Sequence, residues 1–237
     1  MRHFVSALFG ASLAMAGMAQ AEGTKGAKPG VVVELYTSQG CSSCPPADEF
    51  FSALAADPQV IALSLHVDYW DYIGWKDEFG NPKFTERQKA YAREAGSRMI
   101  YTPQMIVGGL DSVEGNQPHE IEAMIRKHMA VARDVSLQAV RRDEILVIRA
   151  EAGRPFDAPV RVQLVRYHPE ATVDIHRGEN AGRTVTYHNI VTSWQAIGEW
   201  TGEAPLEIEA EVPGKDPAVV ILQEQGPSFI LAAARVE

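Results

Sequence analysis

Leu35-Tyr-Thr-Ser-Gln-Gly-Cys41-Ser-Ser-Cys44-Pro-Pro-Ala-Asp48 contains both cysteines of this 237-residue chain. Three interpretations of the pair are open: a redox couple, half of a metal site, or a structural cross-link. In the chain-entropy estimate, a loop this small would stabilise the fold by only about 2 kcal/mol. A chain that is 46% apolar builds its core without such help, so the structural cross-link is the weakest of the three.

The residues on either side of the cysteines place them at the start of a helix. Val31–Tyr36 is a short, β-branched apolar run, typical of a buried strand. Pro45 and Pro46 are tolerated only in a first helical turn, where backbone donors lack partners inside the helix. At a helix N-terminus the free N–H groups and the dipole stabilise a thiolate. We therefore expect Cys41 to face outward as the nucleophile and Cys44, one turn further on, to be shielded.

The next hundred residues alternate between strand and helix patterns. After the first helix, which stops near Asp57-Pro58, Thr85 and Gln88 have capping-box spacing and are predicted to open a second helix. The order β-α-β-α-β-β-α, with a CxxC at the first strand-to-helix junction, is the signal of a thioredoxin-like redox motif. Residues 31–133 are thus predicted to form a thioredoxin-like α/β domain. The further predicted elements are strands at 60–67, 104–107 and 110–113 and a helix around 121–129.

From about Asp134 the pattern changes to short alternating runs between Gly and Pro turns. In Leu206-Glu-Ile-Glu-Ala-Glu-Val212 the alternation is complete, with apolar residues on one face and acids on the other. Several such runs predict an antiparallel, sandwich-like β-rich domain over residues 134–237.

The start of the chain has the features of an export signal. Met1-Arg-His is followed by an apolar run over residues 4–18 and then by Ala19-Gln-Ala21, so we predict a signal peptide at 1–21, a flexible leader at 22–30 and a periplasmic or secreted location. No later segment is long and apolar enough to span a membrane. The formal net charge of −9 makes nucleic acid a poor partner.

Two further positions are candidates for the chemistry of a dithiol. Tyr101-Thr-Pro103 stands before the predicted hairpin, where the thioredoxin fold has a cis-proline loop that faces the cysteines. The match implies that Pro103 is cis and that Thr102 offers backbone groups to a substrate peptide. Glu34, on the buried first strand, is a candidate proton acceptor, although a partly exposed strand position or an ion pair would also account for it.

Metal binding uses the same sulfurs in a different way. His66, at the end of the second strand, would complete a soft site with Cys41 and Cys44, and Met99 or Met105 would offer a thioether to Cu(I). Zinc usually takes four ligands, and the chain has no other cysteine. A single His on a buried strand is more often a hydrogen-bonded core residue.

Two polar or aromatic segments have two interpretations each. The loop after the second strand either forms an apolar rim for a peptide or packs against the sheet; its aromatic residues are Tyr69, Trp70, Tyr72 and Trp75. Residues 176–183 are either a simple hairpin tip, which explains the glycines, or a partner or inter-domain contact that uses Arg177, Glu179 and Arg183.

Together these motifs resemble a family of exported bacterial proteins known as a domain of unknown function with a thioredoxin-like fold. The matching segments are LYTSQGCSSCPPAD (35–48), HVDYWDYIGWKDEF (66–79), YTPQMIVGG (101–109) and RGENAGRTVTYHNIV (177–191). The resemblance implies a thioredoxin-like domain with its dithiol at Cys41 and Cys44, joined to a β-rich extension. Unlike thioredoxins, this chain has Gly40 before the first cysteine and Ser42-Ser43 between the two.

The sequence therefore predicts an exported thiol-disulfide oxidoreductase that needs no cofactor. Its partners would be protein or peptide thiols and disulfides, together with a redox partner protein. Two alternatives stay open: a copper-binding or metal-delivery module that uses the same cysteines, and a non-catalytic protein that binds a cell-envelope partner through its β-rich half.

Overall fold

The computed structural model describes residues 30–131 and 134–236. Over these residues the protein has a mixed α/β fold with three α-helices and one large sheet. The predicted signal peptide and all of the predicted leader except Gly30 lie outside the described residues. Within the described part, none of the helices is long and apolar enough to cross a membrane.

The elements predicted for residues 31–133 are all present in the predicted order. In the described residues the helices are α1 (Pro45–Ala56), α2 (Pro82–Glu94) and α3 (Pro118–Met129), with a 3-10 turn at Asp71–Ile73. The strands are β1 (Val31–Thr37), β2 (Val60–His66), β3 (Gln104–Val107), β4 (Asp111–Glu114), β5 (Val135–Arg142), β6 (Ile145–Ala152), β7 (Val160–Ile175), β8 (Arg183–Trp200), β9 (Leu206–Glu211), β10 (Ala218–Gln223) and β11 (Ile230–Val236).

Proline marks the start of each helix, but the capping box predicted for α2 is wrong. α2 begins at Pro82, and the side chain of Asn81 caps it by accepting a hydrogen bond from the Lys83 N–H at 3.0 Å. Thr85 and Gln88 lie inside the helix. Their side chains bind other elements: Thr85 donates to Asp68, and Gln88 donates to the side chain of Gln104. The spacing of Thr85 and Gln88 along the chain did not indicate these contacts with distant residues.

The large sheet is shared by both halves of the chain. Within the described residues it has eight strands in the order β11-β10-β7-β8-β2-β1-β3-β4. β1 lies parallel to β2 and antiparallel to β3, and β8 lies beside β2 through the pair Ser64 and Ile190. Only β5, β6 and β9 form a separate small sheet. The predicted antiparallel β-rich half is present, and its small sheet packs on β7 and β10 as in a sandwich. Its larger layer is not a sheet of its own, however, because β8 pairs with β2 and four strands thereby extend the first sheet. A domain boundary near residue 134 stays a prediction.

Alternation along the strands distributes side chains between two buried layers. On β1, Val33 and Leu35 pack against α1 and α3, whereas Val32 and Tyr36 face α2. The same alternation on β10 turns its residues toward the α2 layer or toward the small sheet. The small sheet thus covers the same face of the large sheet as α1 and α3.

Glu34 lies on the α2 face of β1 and is completely buried in an ion pair. Arg87 of α2 donates to both carboxylate oxygens, at 2.7 and 2.8 Å. The hydroxyl groups of Tyr36 and Tyr91 also donate to this carboxylate, at 2.9 and 2.6 Å. Burial would lower the pKa of Arg87, but the negative charge of Glu34 outweighs it and raises that pKa. Arg87 therefore stays charged inside the protein.

Removing one partner of this ion pair should destabilise the fold strongly. Arg87→Met leaves the Glu34 carboxylate buried without its counter-charge, so we expect a loss of about 3–5 kcal/mol in the free energy of unfolding, measured by urea denaturation. Lys89→Met is the matched control on the same helix, since it removes the exposed Lys89–Glu86 pair. That change should cost less than about 1 kcal/mol. Equal losses in the two variants would contradict this account.

Candidate functional site

Cys41 and Cys44 form a disulfide at the N-terminus of α1. Cys44 is the residue before the first helical turn, and its N–H donates to the Cys41 carbonyl at 3.2 Å. Both cysteines have 0% exposure, whereas Ser42 and Ser43 between them are exposed. The expectation that Cys41 faces outward is therefore wrong for the disulfide form.

The Thr102–Pro103 peptide bond is cis, as predicted. The Ser43 hydroxyl donates to the Thr102 carbonyl at 3.3 Å, which joins this loop to the cysteine loop. Gly115 is also part of the contact, because an added Cβ there would lie 2.8 Å from Pro103 and 3.0 Å from Ala47 of α1. The structure thus brings Thr102 and Pro103 to the cysteines. Both residues are buried, and one of the backbone groups predicted to meet a substrate, the Thr102 carbonyl, already accepts a hydrogen bond.

The aromatic loop supports the cysteine and proline loops. Trp70 donates from Nε1 to the Thr102 hydroxyl, and Trp75 donates from Nε1 to Gln39 Oε1, both at 2.7 Å. A Cβ on Gly40 would lie only 3.1 Å from the Cβ of Trp70. This close approach explains why glycine precedes the first cysteine. Tyr72, in contrast, is 80% exposed, so packing accounts for the two tryptophans but not for this tyrosine.

A buried carboxyl group lies one helical turn beyond the dithiol. The N–H of Asp48 donates to the Cys44 carbonyl at 3.0 Å, and its Oδ1 accepts from the Thr37 hydroxyl at 2.8 Å. Its Oδ2 is buried and has no hydrogen-bond partner among the described residues. Burial raises the pKa of Asp48 to about 7, against the opposing charge of His66 and the hydrogen bond from Thr37. Asp48 is therefore able to exchange a proton near neutral pH.

His66 and Asp77 form a second buried pair in the same region. His66 Nδ1 lies 2.7 Å from Asp77 Oδ2, and the carboxylate also accepts from the N–H groups of Gln39 and Phe79. Burial would raise the pKa of Asp77, but the charge and hydrogen bond of His66 and these backbone donors lower it. The ring of His66 packs edge-on against Phe79 and Tyr187.

The residues of the metal hypothesis are not gathered into one site. His66 binds Asp77 as described, Met105 lies in the core beside α1, and Met99 is exposed. Over the described ranges, no group of three or more His, Cys, Asp or Glu residues is placed to hold a metal ion.

Glu34 lies apart from the dithiol, because it faces α2 while the cysteines lie at the start of α1 on the opposite face of β1. Its carboxylate is occupied by Arg87 and two tyrosines, which is the ion-pair alternative of the sequence analysis. The buried acid on the dithiol side whose pKa is raised is Asp48. It follows Cys44 by four residues and therefore shares its helix face, a spacing that the sequence analysis did not use.

The hairpin between β7 and β8 supplies a residue that the sequence analysis missed. Asn180, at its tip, is 2% exposed and donates from Nδ2 to the carbonyls of Gln39 and Cys41, at 2.9 and 2.8 Å. The tip interpretation of this segment is confirmed by the positive φ angles of Gly178 and Gly182. Its charged residues are exposed; they are Arg177, Glu179 and Arg183.

The raised pKa of Asp48 should make stability depend on pH between about 4 and 7. An acid with a higher pKa in the folded state binds its proton more tightly there, so the free energy of unfolding falls as pH rises through this range. A rise from 3.8 to about 7 corresponds to about 4 kcal/mol. Asp48→Asn, which stays neutral, should remove this fall in urea titrations at pH 4.5, 6 and 7.5.

Glu49→Gln is the control, since Glu49 is the next residue of α1 and is exposed. It should keep the pH dependence of the wild type. Asp77 does not mask the pH dependence caused by Asp48. Its pKa is lowered, so the stability that Asp77 contributes is lost only when pH falls below the ordinary carboxyl range. An unchanged pH profile in Asp48→Asn would contradict the assignment.

Comparisons with known proteins agree with this architecture. No curated protein matches the chain significantly. A crystal structure of a protein from Agrobacterium tumefaciens is 32% identical, with a TM-score of 0.76 over 86% of this chain and 92% of that chain. HBP35 of Porphyromonas gingivalis is similar in fold, with a TM-score of 0.65 at 13% identity over 88% of this chain and 74% of that chain. Residues 32–223 match the family described as "Protein of unknown function (DUF1223)", and the chain belongs to this family.

Proposed function

We propose that the protein is an exported thiol-disulfide oxidoreductase that acts on protein or peptide thiols through Cys41 and Cys44. The observation that carries the proposal is the disulfide at the start of α1, joined through Ser43 to the cis Thr102–Pro103 loop. Two sulfurs three residues apart exchange readily between dithiol and disulfide, and a helix N-terminus favours the thiolate of the first. Export rests on the signal pattern of residues 1–21.

The element order supports a thioredoxin-like arrangement for residues 31–133. β1, α1 and β2 form a parallel unit, α2 crosses to the other face, and β3 returns antiparallel to β1 immediately after the cis bond. The dithiol lies at the carboxyl end of β1, where α/β folds usually bind their ligands. These features are the context in which a CxxC is typical of redox chemistry.

The proposed reaction begins from the disulfide form. A partner thiolate attacks Cys41 Sγ, which forms a mixed disulfide, breaks the Cys41–Cys44 bond and releases the Cys44 thiolate. A second partner thiolate then attacks the partner sulfur of the mixed disulfide and releases Cys41. The partner dithiol loses two electrons and becomes a disulfide, while the cysteine pair gains them. The same steps in reverse reduce a partner disulfide, with Cys41 as nucleophile and Cys44 as the resolving thiol.

Proton transfer accompanies each thiolate that is released. Asp48 is suited to this role because it is buried on the cysteine side of β1 and its pKa is about 7. Its free Oδ2 leaves one oxygen available for the proton, whereas both oxygens of Glu34 are bound. We therefore assign to Asp48 the role that the sequence had suggested for Glu34.

Burial of the disulfide slows the approach of a partner thiol to Cys41. Neither sulfur is exposed, so a partner can reach Cys41 only after the exposed Ser42–Ser43 segment or a neighbouring loop moves. The Ser43 hydroxyl bond to Thr102 and the Asn116 bond to the Ser43 carbonyl, at 3.1 Å, would break in that movement. We expect the protein to react faster with flexible or unfolded substrates than with folded ones.

Trapping the mixed disulfide tests the assignment of the two cysteines. Cys44→Ser removes the resolving thiol, so incubation with an unfolded protein that carries disulfides should accumulate a covalent complex through Cys41. Cys41→Ser is the matched control and should accumulate at least tenfold less, since the N-terminus of α1 favours the thiolate of the first cysteine. Non-reducing gels and mass spectrometry measure both complexes.

Equilibration of the wild-type pair with a glutathione couple gives the direction of the reaction. A pair with a low reduction potential would act as a reductant, and a pair with a high one as a disulfide donor. Equal trapping by the two variants would contradict the proposed function.

A further inference from the structure

We propose that Asn180 is a positioning residue through which the β7–β8 hairpin holds the Cys41 loop in the geometry that favours the disulfide. The inference rests on the proposed function only in giving this loop a redox role. We define the hairpin tip as residues 176–182, between the ends of β7 and β8. The tip belongs to the β-rich half of the chain, and no residue of that half takes part in the steps of the proposed reaction.

Asn180 acts on the turn that brings the two cysteines together. The Cys41 carbonyl accepts from the Cys44 N–H at 3.2 Å and from Asn180 Nδ2 at 2.8 Å. The second hydrogen of the same amide goes to the Gln39 carbonyl at 2.9 Å. The buried side chain of Asn180 thus holds the carbonyls on both sides of Gly40. It also supports the Cys44 N–H to Cys41 carbonyl hydrogen bond, which helps to set the distance between the two sulfurs.

The rest of the tip packs tightly enough to keep this amide in place. Gly178 has φ +76°, and an added Cβ would lie 3.2 Å from the Cβ of Trp75. The ring of His176 meets that of Trp75 edge-on, and Trp75 in turn donates to Gln39. Below the tip, Tyr187 of β8 packs with Phe79 and His66. The hairpin therefore contacts the cysteine loop directly through Asn180, and its packing against Trp75, Phe79 and His66 holds it beside that loop.

A disulfide becomes more stable relative to its dithiol when the chain holds the two sulfurs together, because ring closure then loses less conformational entropy. Asn180 restricts the Cys41 loop from outside, so its loss should lower the effective concentration of one sulfur at the other. It should also leave two loop carbonyls with one donor fewer in a buried site. The disulfide restrains these carbonyls in the buried site, whereas the reduced loop is free to move them toward water, so both effects make the disulfide easier to reduce.

The test is the equilibrium between the full-length protein and a small dithiol reagent, dithiothreitol. Asn180→Ala should lower the equilibrium constant for forming the Cys41–Cys44 disulfide about tenfold, which corresponds to about 30 mV. Asn189→Ala is the matched control. Asn189 is also on β8 and donates to the Ala62 carbonyl at 3.0 Å, away from the cysteine loop. This change should destabilise the oxidised and reduced forms alike and leave the equilibrium constant within twofold of the wild type.

Two glycine variants test the same contact if Asn180→Ala does not fold. Gly178→Ala forces the tip away from Trp75 without removing the amide, so it should also make the disulfide easier to reduce. Gly182→Ala introduces the same kind of backbone strain, since Gly182 has φ +84°, but the added Cβ would enter open space. It should leave the disulfide equilibrium unchanged.

The outcomes separate this inference from the proposed function. The equilibrium uses only the protein's own disulfide and a small reagent, so it can shift even if no protein substrate is ever trapped. An equilibrium constant within twofold of the wild type in Asn180→Ala or Gly178→Ala, or an equal shift in Asn189→Ala or Gly182→Ala, would overturn the positioning role. Trapping by Cys44→Ser together with an unshifted equilibrium would keep the proposed function and reject only this inference.

Discussion

The buried carboxylate of Glu34 sets the constraint on which the rest of the fold depends. A charge this deep is tolerated only with a counter-charge and hydrogen-bond donors, which Arg87 and Tyr91 of α2 and Tyr36 of β1 supply. Arg87 comes from α2, and its guanidinium also lies 3.6 Å from the ring centre of Trp194 on β8 and donates to Gln223 on β10. The residue that neutralises Glu34 is therefore held in place by β8 and β10, so both halves of the chain meet at this ion pair.

The shared sheet places the long β7–β8 hairpin beside the cysteine loop. β8 lies next to β2, so the end of the hairpin passes the carboxyl ends of the central strands and reaches the carbonyls of Gln39 and Cys41. The candidate site is consequently assembled from distant segments: the cysteine loop, the cis Thr102–Pro103 loop, the aromatic loop and the tip with Asn180. The β-rich half is a structural part of that site.

The two buried carboxyl groups near the dithiol differ in pKa because their surroundings differ, and this difference suits them to different roles. Asp77 receives His66 and two backbone N–H groups, and its pKa falls. Asp48 receives the Thr37 hydroxyl, and burial dominates to raise its pKa to about 7. The first acid is suited to hold a loop in place as a permanent anion. The second is suited to hold and release a proton as a disulfide opens and closes.

The sequence by itself determined the local elements: the buried β1, the prolines that start α1, the order of elements to residue 131 and, through family resemblance, the cis bond before Pro103. Such features depend on neighbours within a few residues. Only the tertiary structure decided that Glu34 pairs with Arg87, that Asp48 lies on the dithiol side, that Thr85 is not a cap and that four late strands extend the first sheet. These outcomes depend on which buried polar groups meet across the fold, and periodicity along the chain carries no information about such long-range partners.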